Sequence, residues 1–217
     1  MTPTEQLREE NRENWDAATQ HPFTTELVAG TLSLDKMAGY LQQDYHFIDT
    51  FVRLLAAAIS QAPSLPDRVP GAQFLAVVTG AENTYFQRSF AALDVPATAP
   101  VHGQTQAFLD LMHCVRKSGN YGEMIAVLTV AEWVYLSWAT PFAARAEQLP
   151  FYFGEWITLH TGEDFASVVT YLREQLNDVW STSPKTDRLR IASAFADAVA
   201  LERAFFDAAW SGFPVTK

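Results

Sequence analysis

Met37, Leu41, Asp44, Ile48, Phe51 and Leu55 follow one another at spacings of four, three, four, three and four. That rhythm places them on one face of an α-helix, where residues three and four apart are neighbours. The punctuation of the chain repeats the message. Thr4 can cap a first helix running to Thr19, closed by His21-Pro22, because the residue before a proline disfavours helical backbone. A short helix from Thr24 stops at Gly30, and Ser33 caps a long one that reaches about Ala62 before Pro63 and Pro66. Further helices are expected over about 71–93, 103–117, 121–139, 142–148, 151–160, 164–180 and 185–210. The Pro-rich stretches 63–70 and 93–102 read as short loops, not interdomain linkers. Sustained apolar/polar alternation and Asn-Gly or Asp-Gly hairpin signals are missing. The expectation is an all-α helical bundle of eight to ten helices, with residues 1–217 forming a single domain.

Composition narrows the function classes. Hydrophobic residues make up 48% of the chain and charged residues 18%, enough for a sizeable core and too few charges for a disordered chain. Fifteen Lys and Arg against 25 Asp and Glu leave a net charge of −10, which argues against nucleic acid as a partner, since phosphate contacts need cations. The opening MTPTEQLREENREN lacks the apolar stretch of a signal peptide. The nearest approach to a membrane span is Met124–Ala139, which Glu132 interrupts and which falls short of about 18 residues. A single cysteine excludes an intrachain disulfide and suits a reducing cytoplasm.

Three acids occupy positions where apolar residues belong. Asp44 sits in the middle of the stripe above, with Phe47 one turn on. In the last helix, Ile191, Phe195, Ala198, Glu202, Phe205 or Phe206, and Ala209 form a similar face, with Glu202 in an inward slot. Glu132 is the sole formal charge in MIAVLTVAEWVYLSWA, with Tyr135 three residues later. Burying an ionised carboxylate costs several kcal/mol unless it is paired or hydrogen-bonded. Either these acids pair with Arg or Tyr or look out of the bundle, or they converge on an aromatic-lined cavity for a small molecule. In the second case burial raises their pKa values and suits them to proton transfer near neutral pH.

Other candidates carry less. Cys114 has Arg116 and Lys117 nearby but no partner pattern for a nucleophile, and reads as a structural thiol. Asp110-x-x-His113 has carboxylate–histidine spacing, and Glu82 and His46 could complete a metal set only if packing brought them together. Glycine-rich phosphate loops do not occur.

Several segments in order suggest a family. HPFTTELVAGTLSLDKMAGYLQQDYHFI resembles the opening of the TenA (thiaminase II) family, and SGNYGEMIAVLTVAEWVYLSW, EWITLHTGEDF and ALERAFFDAAW resemble later family segments. The resemblance implies a haem-oxygenase-like bundle without haem, commonly a homotetramer, needing neither cofactor nor metal. It also implies a pocket for the thiamin pyrimidine. By position, Asp44 and Glu202 match family acids that contact the pyrimidine, Phe47 and Phe205 match ring-packing aromatics, and Tyr135 matches a tyrosine near the nucleophile. Phe108 and His160 fall where the cysteine-bearing members have tyrosines.

The family's nucleophilic cysteine would lie at Ala131 or Glu132, and neither is cysteine. The chain therefore looks like the branch that lacks the thiol and carries a glutamate, a branch associated with salvage of aminomethyl- and formylaminomethyl-pyrimidines. The expected activity is hydrolysis of the C–N or amide bond of such a pyrimidine, with Glu132, Glu202 and Asp44 catalytic. Phe47, Phe108, Tyr135, His160 and Phe205 would hold the ring. A pyrimidine-binding protein without catalysis and a metal-dependent oxygenase on the same scaffold stay open as alternatives.

Overall fold

The computed structural model describes residues 1–213. Eleven α-helices follow in chain order: α1 Pro3–Glu10, α2 Arg12–Thr19, α3 Pro22–Ala29, α4 Leu34–Gln61, α5 Leu65–Val77, α6 Asn83–Leu93, α7 Gly103–Ser118, α8 Tyr121–Ala139, α9 Phe151–Leu159, α10 Gly162–Thr182 and α11 Lys185–Trp210. A π-helical turn, Val78–Glu82, joins α5 to α6, and a 3-10 segment, Thr140–Gln148, joins α8 to α9. Among the described residues there is no strand, as the missing alternation led one to expect.

α8 is the centre of the bundle. Every residue from Gly122 to Ala131 is buried, and α10, α11, α4 and α2 pack around the helix. Gly122 lets α11 approach, because a Cβ there would run into the side chain of Ile191. Together with the 3-10 segment, α8 is long and apolar enough to cross a membrane by length and composition, which the interruption at Glu132 had seemed to preclude. Its most apolar window is 67% buried inside the bundle, so its apolarity is accounted for by core packing.

Several boundaries differ from the expectation, each for a local reason. The first helix is two, broken at Asn11. Its cap is Thr2, not Thr4: the Thr2 hydroxyl accepts from the Glu5 amide while the Glu5 carboxylate accepts from the Thr2 amide. Thr4 is buried instead. α3 begins at Pro22 because the Nδ1 of His21 accepts from the Phe23 amide, a cap supplied by a side chain not usually given that role. The stretch 63–70 is largely helix. Ser64 caps α5 and Pro66 lies in its first turn, where a backbone donor is unpaired anyway; Pro70 lies inside the helix and removes one of its backbone bonds. The single helix expected over 71–93 is interrupted by the π turn. Gly30 and Gly119, by contrast, end α3 and α7 with φ of 72° and 69°, the left-handed conformation that glycine adopts freely.

Candidate active site

One cavity opens between α4, the π turn, α7, α8, α9 and α11. The space in it open to a water-sized molecule is about 60 Å³. α4 contributes Asp44, Phe47, Ile48 and Phe51, which its period lays on one side of the helix. Val78 and Glu82 come from the π turn, Phe108 and Met112 from α7, and Ala131, Glu132 and Tyr135 from α8. Trp156 and His160 come from α9 and its C-terminal end, and Glu202 from α11.

All three acids expected from sequence therefore meet in one place, and Phe47, Phe108, Tyr135 and His160 line the same space. Phe205 does not. It is 1% exposed and packs edge-on behind Phe47, with ring centroids 5.1 Å apart, so it backs the wall and does not form it. A fourth carboxyl, Glu82, joins the other three. Sequence had placed it only in a loose metal set with Asp110, His113 and His46. That set does not assemble: Asp110 accepts from Gln106 on an exposed face, and His46 Nε2 lies 2.8 Å from the carbonyl oxygen of Ala99. Among the described residues no three His, Cys, Asp or Glu side chains are close enough to share a metal ion. Cys114 is exposed and outside the cavity.

The electrostatics follow from burial without neutralisation. Asp44 and Glu202 are 8% and 3% exposed, and the lining contains no Lys or Arg. Burial, then the neighbouring Glu82, pushes the Asp44 carboxyl well above the usual range. Burial, then Asp44, does the same to Glu202. Glu132 is raised by burial and by Glu82, Glu202 and Asp44 together. Burial brings Glu82 to about 7. No hydrogen bond to a side chain enters the balance for any of the four, so their donors and acceptors are open to the cavity. This excludes the reading in which the acids pair with Arg or Tyr.

His160 is the complement of the acids. Burial lowers its pKa to about 4, so the ring is neutral at pH 7. Its Nδ1 lies 2.8 Å from the Trp156 carbonyl oxygen, which can only accept, so Nδ1 carries the proton and Nε2 is a bare acceptor. The ring stands 4.3 Å from Trp156 and 4.7 Å from Tyr135, centroid to centroid. Tyr135 is held in turn by Tyr40, one helical turn before Asp44 on α4, through a 2.7 Å hydrogen bond between hydroxyls. The cavity thus combines aromatic walls with carboxyls whose ionisation burial opposes. That combination can bind a planar heterocycle and move protons on and off it.

Residues 8–212 match the family described as TENA/THI-4/PQQC. Among curated relatives, an aminopyrimidine aminohydrolase of Halalkalibacterium halodurans is 24% identical over 212 residues, covering 94% of each chain. Among solved structures, a TenA homologue from P. horikoshii OT3 superposes with a TM-score of 0.84 at 24% identity, covering 98% of this chain and all of that one. A domain of Shewanella denitrificans with a haem-oxygenase-like fold superposes with a TM-score of 0.73 at 15% identity, covering 97% of this chain and 93% of that one. The bundle is therefore haem-oxygenase-like, and with the match running through nearly the whole length, this chain belongs to the TENA/THI-4/PQQC family.

Proposed function

We propose that this chain is a hydrolase of thiamin-derived aminopyrimidines that works without a cysteine nucleophile. The observation that carries the reading is the neighbourhood of Ala131 and Glu132. Both line the cavity, Glu132 shares it with Glu202 and Asp44, and the one cysteine of the chain lies outside it. The relative named aminopyrimidine aminohydrolase, aligned over nearly the full length, supports the substrate class.

In this reading the ring lies in the slot formed by Phe47, Phe108 and Tyr135. Asp44 and the His160 Nε2 accept hydrogen bonds from its N–H groups. Glu202, whose ionisation burial and Asp44 oppose, is assigned the proton donor to the ring or the departing nitrogen. Glu132 takes a proton from a water molecule whose oxygen bonds the methylene carbon as the C–N bond breaks. The bonding pair leaves with the nitrogen, which departs as ammonia. With the formylated substrate the same water attacks the formyl carbon instead, giving formate and the amine. Water activated by a base replaces the covalent step that a thiol would supply.

Purified protein incubated with aminomethyl-pyrimidine, formylaminomethyl-pyrimidine and thiamin, with products followed by mass spectrometry, tests the reading. Product from either pyrimidine and none from thiamin is the expected result. Thiamin cleavage, or no turnover of any of the three, overturns it.

A further inference from the structure

The proposed reaction leaves one acid of the cavity without a task. Glu82 ends the π turn Val78–Glu82, the one departure from α geometry between the first residue of α5 and the last of α6. Such turns are frequent where a helix places a side chain for function. Glu82 faces Asp44 on α4 and Glu132 on α8, each of which its charge disturbs. The other titratable groups of the cavity are Tyr135 on α8, His160 at the end of α9 and Glu202 on α11, while α7 brings only Phe108 and Met112. Tyr135 holds its proton, His160 is neutral, and no Lys or Arg enters. Negative charge in this space is therefore balanced either by protons on the carboxyls or by a cation arriving from solution.

We propose that Glu82 is a specificity-determining residue that anchors a protonated primary amine on the ligand, so that the cavity prefers an aminomethyl heterocycle to the neutral alcohol or formamide of the same ring. The inference rests on the reading above and deepens it. An ammonium offers a carboxylate charge-assisted hydrogen bonds, roughly twice as strong as neutral ones. The alcohol formed by hydrolysis has lost that charge, so the anchor holds substrate and releases product. A bound ammonium also makes ionisation of the carboxyls facing it easier, which readies Glu132 to accept the proton of water. Burial sets the Glu82 pKa at about 7, so the anchor is charged at pH 8 and mostly uncharged at pH 6.

The experiment compares wild type, Glu82→Gln and Glu82→Asp between pH 6 and 8.5. It records kcat/KM for aminomethyl- and formylaminomethyl-pyrimidine, inhibition by hydroxymethyl-pyrimidine, and calorimetric binding of benzylammonium against benzyl alcohol. Wild type is expected to prefer each amine over its neutral counterpart by about tenfold or more at pH 8, with the preference shrinking below pH 7. Glu82→Gln should lose it while neutral ligands stay within about threefold, and Glu82→Asp should recover part of it. Equal losses on charged and neutral ligands, or a preference unchanged in Glu82→Gln, overturn the proposal. If no pyrimidine is turned over but the Glu82-dependent preference for benzylammonium persists, the reaction falls and the anchor stands. Turnover of the pyrimidines with no charge preference has the opposite meaning.

Discussion

The hydroxyl oxygens of Tyr40 and Tyr135 lie 2.7 Å apart, one on a fully buried residue of α4 and the other at the edge of the cavity. The Tyr40 oxygen also accepts from the Trp156 Nε1 at 3.2 Å, so Tyr40 ties the Tyr135 hydroxyl to the indole behind it.

Replacing Tyr40 with Phe removes that arrangement and strands the Trp156 donor. Loss of a buried partner costs about 1–3 kcal/mol. Denaturant unfolding should show a fall of that size. Turnover should fall by more than loss of folded protein explains, because the Tyr135 hydroxyl is no longer oriented. Full activity per folded molecule in Tyr40→Phe contradicts the orienting role.

Glu202→Gln tests the proton donor. The amide keeps the shape and a hydrogen bond but cannot release a proton, so kcat should drop by about 10²-fold or more while ligand binding changes less than about tenfold. Steady-state kinetics beside calorimetric binding separates the two. A variant that loses binding and keeps kcat assigns Glu202 to recognition alone.

Gly154 on α9 packs directly against the Ala146 carbonyl of the 3-10 segment, and a Cβ there has no space. Gly154→Ala must push α9 away, and α9 carries Trp156 and leads into His160. Overpacking of this kind costs about 1–3 kcal/mol, or roughly 3–10 °C in Tm for a chain of this size. A thermal melt unchanged in Gly154→Ala contradicts the close contact.

The cavity acids also shape stability against pH. Glu82 rises from 4.5 to about 7 on folding, so between those values the folded state holds the proton more tightly than the unfolded chain. Its contribution to stability is complete below pH 4.5 and is lost as pH rises through about 7. His160, lowered from 6.5 to about 4, has the opposite sign: the folded state resists its protonation, and stability from this group grows as pH rises from 4 to 6.5. The two oppose each other in the wild type, so the informative quantity is a difference. Relative to wild type, Glu82→Gln should become steadily more stable as pH is raised from about 4.5 to 7 and level off above. A difference that does not depend on pH contradicts the burial of that carboxyl.

What could be read from sequence follows from what helical spacing can express. Asp44 and Glu202 were visible because each interrupts an apolar stripe, and Glu132 because it is alone in an apolar run. Glu82 passes the same test, since Phe74, Val78, Tyr85 and Ser89 are all buried and Glu82 lies four after Val78 and three before Tyr85. Two successive spacings of four drift off an α-helical face, and the wider π turn absorbs the drift. Sequence did not announce that turn. Phe108 and His160 were candidates only through the family resemblance, because nothing in their own spacing separates a cavity wall from core. Phe205 and Phe206 both sit on the inward side of α11, and spacing alone did not tell that Phe205 backs the wall. The proline-containing start of α5 reads as a loop from sequence, yet proline in a first turn is compatible with helix.

The most direct test of the central claim sets Glu132→Gln beside Cys114→Ala, with hydrolysis of the aminomethyl- and formylaminomethyl-pyrimidines as the readout. Glu132 lines the cavity and Cys114 is exposed outside it. The account predicts that Cys114→Ala turns over like wild type. It also predicts that Glu132→Gln loses about 10²-fold or more in kcat while still binding pyrimidine within about tenfold. Full activity in Glu132→Gln, or loss of activity in Cys114→Ala, contradicts hydrolysis by a glutamate in place of a thiol.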